Sequence, residues 1–125
     1  MQKEGELVQL DFEDRPWGSW QVLDEAPGYK VKRIRVSGGS RLSYQTHQHR
    51  EEHWVVVSGV ATCTVGQGTR RVLPGQSVDV PQGAAHRIAN DELEELVIIE
   101  VQRGAYTGED DIVRLEDDYG RLANR

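Results

Sequence analysis

Short runs in which apolar or β-branched residues alternate with polar ones recur along the whole chain. They are YKVKRIRV (29–36), LSYQTH (42–47), HWVVVSG (53–59), ATCTV (61–65), RRVL (70–73), QSVDV (76–80), HRIAN (86–90) and ELVIIEVQ (95–102). Each has the length of a strand, and glycines punctuate them at Gly38-Gly39, Gly59, Gly66, Gly68, Gly75, Gly83 and Gly104. Strand-length runs broken by turn residues at intervals of roughly 8–12 predict an all-β sandwich or barrel. No window sustains a 3.6-residue apolar period beyond two turns, so no long helix is predicted. VGQGTRRV (65–72) predicts a hairpin, with Gly66 and Gly68 supplying the positive φ of a tight turn. In the first run the expected inward positions are Ile34 and Val36, with a local adjustment near Lys32. Strand parity also pairs Trp54 with Glu52 on the inner face and turns Val55 and Val57 outward. That apolar outer face predicts pairing with a second copy, a homodimer. The C-terminal stretch GEDDIVRLEDDYGRLANR (108–125) is acidic. It reads as a solvated face, with a short helix or a fold back over the sheet as the alternatives.

Length and composition narrow this picture. A chain of 125 residues, 37% hydrophobic and 29% charged, fits one domain. Its expected parts are an N-terminal arm (1–27), a barrel (about 28–103) and the acidic segment (104–125). A formal charge of −6 with no basic stripe argues against a nucleic-acid surface but leaves room for a few arginines around a small phosphorylated ligand. The single Cys63 cannot form an internal disulfide and reads as a small buried hydrophobe. MQKEGELVQL lacks the apolar centre of a signal peptide and no stretch approaches the length of a membrane span, so a cytoplasmic protein without membrane contact is expected.

The candidate chemistry lies in QTHQHREEH (45–53), which gathers three of the four histidines beside two glutamates. On a regular strand Gln45, His47 and His49 share a face, and Glu52 joins them only through a bulge or bend. A later run brings His86 behind the Pro81–Gly83 turn. Neutral imidazoles and a carboxylate suit Zn, Mn, Fe or Ni. Against this stands the plainer alternative of a polar strand end, and spacing alone leaves the two readings about even.

Two spaced motifs resemble those of the cupin superfamily. In the first, Gly39 is followed after five residues by Gln45, then Thr46, His47, QHRE, Glu52, HWVVVS and Gly59; Gln45 stands where the family has its first histidine. In the second, Gly75, Pro81, Gly83, His86 and Asn90 match every fixed position. Anchoring on Gly39, Glu52 and Gly59 makes Gln45, His47, Glu52 and His86 the implied metal ligands. His49 and His53 are left as outer or substrate-facing residues. The closer resemblance is to the type II phosphomannose isomerase domain, carried by RPWGSW (15–20), YKVKRIRV (29–36), LSYQTHQHREEHWVVVSGVA (42–61), VPQGAAHRIAN (80–90) and IEVQRGAYTGEDDIVRLEDDYGR (99–121). Where that family commonly has HRAEHW, this chain has HREEHW, and Glu51 is expected to point outward.

The resemblance implies a cupin double-stranded β-helix, a jelly-roll barrel. It further implies a metal-dependent aldose–ketose isomerase interconverting mannose 6-phosphate and fructose 6-phosphate, with one divalent ion (Zn, Mn, Co or Ni). His49 and Glu52 are the implied catalytic groups, and Glu109, Asp110 or Asp111 could join them only if the C-terminal segment folds over the barrel mouth. Candidate substrate-binding residues are Arg15, Lys32, Arg41, Arg50 and Arg121, drawn from a wider set that includes Arg103 and Arg114. Arg15 and Arg121 are favoured for phosphate because they lie in the family-specific ends. The competing readings are a non-catalytic sugar-phosphate-binding cupin, a partner subunit of a separate sugar-nucleotide pyrophosphorylase, and, less favoured, a cupin dioxygenase.

Overall fold

The structure is a computed structural model that describes residues 11–121; residues 1–10 of the expected N-terminal arm and 122–125 of the acidic segment lie outside the described residues. Eleven strands follow in chain order: β1 (Phe12–Arg15), β2 (Gly18–Ala26), β3 (Tyr29–Val36), β4 (Tyr44–Thr46), β5 (Arg50–Ser58), β6 (Ala61–Val65), β7 (Gly68–Val72), β8 (Ser77–Val80), β9 (His86–Ala89), β10 (Leu96–Gly104) and β11 (Val113–Glu116). They form a six-stranded sheet in the order β1-β2-β3-β10-β5-β8 and a five-stranded sheet in the order β11-β4-β9-β6-β7, every pairing antiparallel. This is the expected jelly-roll barrel. Among the described residues there is no α-helix, and none is long and apolar enough to cross a membrane.

Alternation decides what each strand buries. On β5 the inward set is Arg50, Glu52, Trp54 and Val56, while Val55 and Val57 are 41% and 52% exposed, as parity required. On β10 Leu96, Ile98, Glu100 and Gln102 face in. On β3 the inward set is Lys30, Lys32, Ile34 and Val36, in unbroken register with β10. The adjustment expected near Lys32 instead falls on the partner strand, as a register shift between Val22 and Asp24 of β2. The core joins Trp17, Trp20 and Trp54 to Ile34, Val36, Val56, Leu96 and Ile98. Burial of each tryptophan contributes about 4–6 kcal/mol of gross hydrophobic stabilisation.

Three local readings sharpen. The β6–β7 hairpin closes through Gly66 at φ 60°, whereas Gly68 has no positive φ and begins the returning strand. Residues 12–26 of the expected arm form β1 and β2 and extend the larger sheet. The acidic segment carries no α-helix among the described residues: Val113–Glu116 pair with β4 as an edge strand whose residues, Arg114 apart, are exposed. The loop before it, 105–112, is tied down across the barrel mouth. Lys30 Nζ donates to Thr107 O at 2.7 Å, and the Asp111 carboxylate accepts from the backbone N–H groups of Gln48 and His49 at 2.9 and 3.0 Å.

Candidate metal centre and its cavity

Each proposed ligand is aimed by ordinary backbone geometry. Glu52 projects inward from β5 because it shares the parity of Trp54. His86 opens β9 directly after the turn in which Gly83, at φ 83°, donates its N–H to His47 O at 3.0 Å. That bond joins the two histidine-bearing segments. His47 follows β4, where the chain bends before β5 begins. One nitrogen or oxygen from each of His47, Glu52 and His86 lies within 4.8 Å of the others, and all three residues are buried.

The tautomers are set from behind. His47 Nδ1 is 2.6 Å from Asp111 O, and His86 Nδ1 is 3.0 Å from Ala84 O. A carbonyl oxygen only accepts, so each Nδ1 carries a proton and each Nε2 is the ring nitrogen turned toward Glu52. Those Nε2 atoms lie 3.1 and 3.8 Å from the two Glu52 oxygens. Burial, outweighing the attraction of Glu52, pushes His86 below its ordinary pKa and keeps it neutral. For Glu52 burial alone would raise the pKa; its contacts with the two imidazole rings, the hydrogen bond to His47 foremost, hold it well below the ordinary carboxylate range. Two neutral imidazoles and one carboxylate suit a divalent ion of the Zn, Mn, Co or Ni kind, and this donor set fits the implied cofactor.

The triad lines a cavity shared with Lys32, Gln45, Arg50, Glu100 and Glu109, among others. Gln45 pairs with His86 across the sheet and spends its amide nitrogen on Ser43 Oγ at 3.0 Å, leaving its carbonyl oxygen as the donor end. Arg50 Nε donates to Glu52 Oε2 at 3.0 Å. Lys32 Nζ sits 4.0 Å from the Trp20 ring centroid and 2.6 Å from Glu109 Oε2. The 105–112 loop therefore does bring Glu109 to the cavity, the condition set by the sequence, while Asp111 holds His47 and the loop from outside. Arg15 and Arg121 line the cavity too. Arg41 does not: it is exposed and paired through two nitrogens with Asp118. His49 also lies outside the cavity lining, 59% exposed, with Nδ1 3.2 Å from Asp111 Oδ1. His53 is exposed beside Asp79, and Glu51 points outward to Arg103.

Glu100 escaped the sequence reading. It is buried, and burial together with the charge and hydrogen bond of Glu52 pushes its pKa up to about 8. Trp54 Nε1 bridges the two carboxyls, at 2.9 Å from Glu52 Oε1 and 3.1 Å from Glu100 Oε2. The signal was available in LVIIEVQ, because Glu100 has the parity of Leu96 and Ile98. Arg87, a further lining residue, was also missed.

Comparison with known proteins adds a lineage. A family model described as "Mannose-6-phosphate isomerase C-terminal" matches residues 4–117. The chain is 50% identical over 107 residues to the xanthan biosynthesis protein XanB of Xanthomonas campestris pv. campestris, covering 86% of this chain and 23% of that protein. It is 51% identical over 109 residues to the alginate biosynthesis protein AlgA of Pseudomonas aeruginosa, covering 87% and 23%. With the mannose-1-phosphate guanylyltransferase ManC of Salmonella typhimurium it shares 45% over 108 residues, covering 86% and 22%. The chain thus spans less than a quarter of the length of these relatives. Among solved structures, the capsular polysaccharide assembling protein CapF of Staphylococcus aureus superposes at a TM-score of 0.75 and 21% identity, over 88% of this chain and 35% of that one. A cupin sugar phosphate isomerase from Silicibacter pomeroyi superposes at 0.63 and 20%, over 68% and 58%. At such identities both likenesses speak to the fold alone.

Proposed function

Because the chain belongs to the family of mannose-6-phosphate isomerase C-terminal domains, we propose that it is a metal-dependent isomerase interconverting mannose 6-phosphate and fructose 6-phosphate. The observation that carries the reading is the buried triad of His47, Glu52 and His86 beside lysine and arginine side chains in one cavity. A divalent ion held by the two Nε2 atoms and the Glu52 carboxylate, with Gln45 as a further oxygen donor, would supply Lewis-acid polarisation of the sugar oxygens. The chain's own groups do the rest. Arg15 and Arg121 offer forked donors to a phosphate, and Lys32 and Arg50 add positive charge nearer the triad. The reaction moves a proton between C2 and C1, and that transfer requires a base within hydrogen-bond reach. Glu100 and Glu109 line the cavity whereas His49 does not, so the transfer is assigned to these carboxyls, the ionised Glu109 as base and the protonated Glu100 as acid, with Glu52 serving as an anchor.

A second reading draws on the length relation. The chain corresponds to less than a quarter of relatives that include a guanylyltransferase, which supports a sugar-phosphate-binding module or a partner of a separate pyrophosphorylase. A coupled assay for fructose 6-phosphate separates the two. The isomerase turns over with added Mn, Zn or Co, stops on chelation and recovers with metal. Tight binding of mannose 6-phosphate with no turnover under any metal would sink the isomerase in favour of the binding module.

A further inference from the structure

A row of paired residues crosses the smaller sheet from the triad outward: His86 on β9 faces Gln45 on β4, which faces Arg114 on β11. Paired residues on neighbouring strands send their side chains to the same face. Arg114 therefore shares the cavity with His86, two strand spacings or ~9.5 Å away. A register shift between Arg114 and Glu116 breaks the ladder at this point and re-aims the strand. Arg114 Nε is buried and has no hydrogen-bond partner among the described residues. Arg15 and Arg121 line the same cavity. Arg15 pairs with Glu13, and Arg121 donates to both oxygens of Asp117 at 2.9 Å. Burial, and then the positive charge of Arg121, push the Arg114 pKa down; the Asp117 carboxylate opposes this and Arg15 adds to it. Arg15 and Arg121 are thus answered by carboxylates, whereas the buried, unbonded N–H of Arg114 costs stability unless a ligand meets it.

We propose that Arg114, flanked by Arg15 and Arg121, is the centre of an anion subsite that takes a phosphate monoester, on the β11 side of the cavity and across Gln45 from the metal triad. The ligand is then held at both ends. Its anionic group lies against the arginines and its vicinal oxygens lie toward His47, Glu52 and His86. The choice of a sugar phosphate rests on the isomerase reading; the existence of an anion subsite does not.

The test uses the full chain stripped of metal, so that no turnover enters. Calorimetric titration is run with inorganic phosphate, mannose 6-phosphate and mannose. The wild type is expected to bind the two phosphates, with mannose at least about 10-fold weaker, and Arg114→Gln to lose about 10-fold or more in affinity for both phosphates. Arg114→Lys keeps the charge without the fork and falls between. If Arg114→Gln does not fold, Arg15→Gln, altered at the cavity rim, is expected to show a smaller loss of the same kind. Wild-type phosphate affinity in folded Arg114→Gln or, where that variant does not fold, in Arg15→Gln overturns the subsite. Equal binding of mannose and mannose 6-phosphate by the wild type does so as well. Phosphate binding that needs Arg114, in a protein without isomerase activity, leaves the subsite standing while the isomerase reading fails. Turnover with an unchanged KM for mannose 6-phosphate in Arg114→Gln does the reverse.

Discussion

Replacing Glu100 by glutamine keeps the shape of the side chain and removes its titration. Glu100 has an ordinary value of 4.5 and is pushed up to about 8 in the fold, chiefly by burial and then by the charge of Glu52. A raised carboxyl pKa destabilises the fold as pH rises: the unfolded chain gives up the proton near 4.5, while the folded chain keeps it until about 8. The neighbouring groups do not blur this window. Glu52 sits below its ordinary 4.5, so its stabilisation is already complete above that pH. His86 sits below its ordinary 6.5, so its effect is complete above 6.5. Between pH 6.5 and 8 the Glu100 contribution therefore stands clear. A window of 1.5 pH units at ~1.4 kcal/mol per unit gives a loss of about 2 kcal/mol. Urea unfolding of the metal-stripped protein at pH 6.5 and 8 measures it. The wild type is expected to lose about 2 kcal/mol more than Glu100→Gln across that interval. Identical pH slopes for the two proteins would refute a protonated Glu100 beside the ionised Glu52.

Three further outcomes follow from the same geometry. A divalent ion at about 100 times its Kd should raise wild-type stability by about 2.7 kcal/mol; His86→Ala should lose that increment in a thermal scan while still unfolding cooperatively, and an undiminished increment removes His86 from the site. Asp111→Ala unties the 105–112 loop that presents a carbonyl to His47, so competition against a chelator should show metal affinity reduced about 10–100-fold; wild-type affinity would show that the loop does not orient the ligand. We propose a homodimer through the exposed β5 face, so light scattering should find wild-type dimers and Val55→Lys/Val57→Lys monomers, and a dimeric double variant would place the contact elsewhere.

How much was legible in the sequence depended on whether a residue's role is carried by parity or by partners. Trp54 inward and Val55 and Val57 outward follow from alternation, and alternation within one strand survives folding. The gathering of His47, Glu52 and His86 followed from spaced motifs, because turns of defined chemistry, such as Pro81–Gly83, aim the next residue reproducibly. The edge strand β11 was not legible. VRLE alternates, but over only four residues between acidic borders, and its strand character comes from pairing with β4, a long-range contact that local pattern does not encode.

The same distinction accounts for the cations. Each arginine carries the same charge in the sequence, and only the fold sorts them. Arg41 is neutralised by Asp118 at the surface and Arg103 by Glu51. Arg50 is drawn to Glu52 beside the triad, whereas Arg114 is left with an unbonded Nε. Positive charge thus persists in this cavity where no carboxylate is near enough to bond it, at the edge strand that the sequence pattern did not reveal. An anionic ligand is selected by that residual imbalance and not by the number of basic residues, which is why a chain of net charge −6 can still present a cationic pocket.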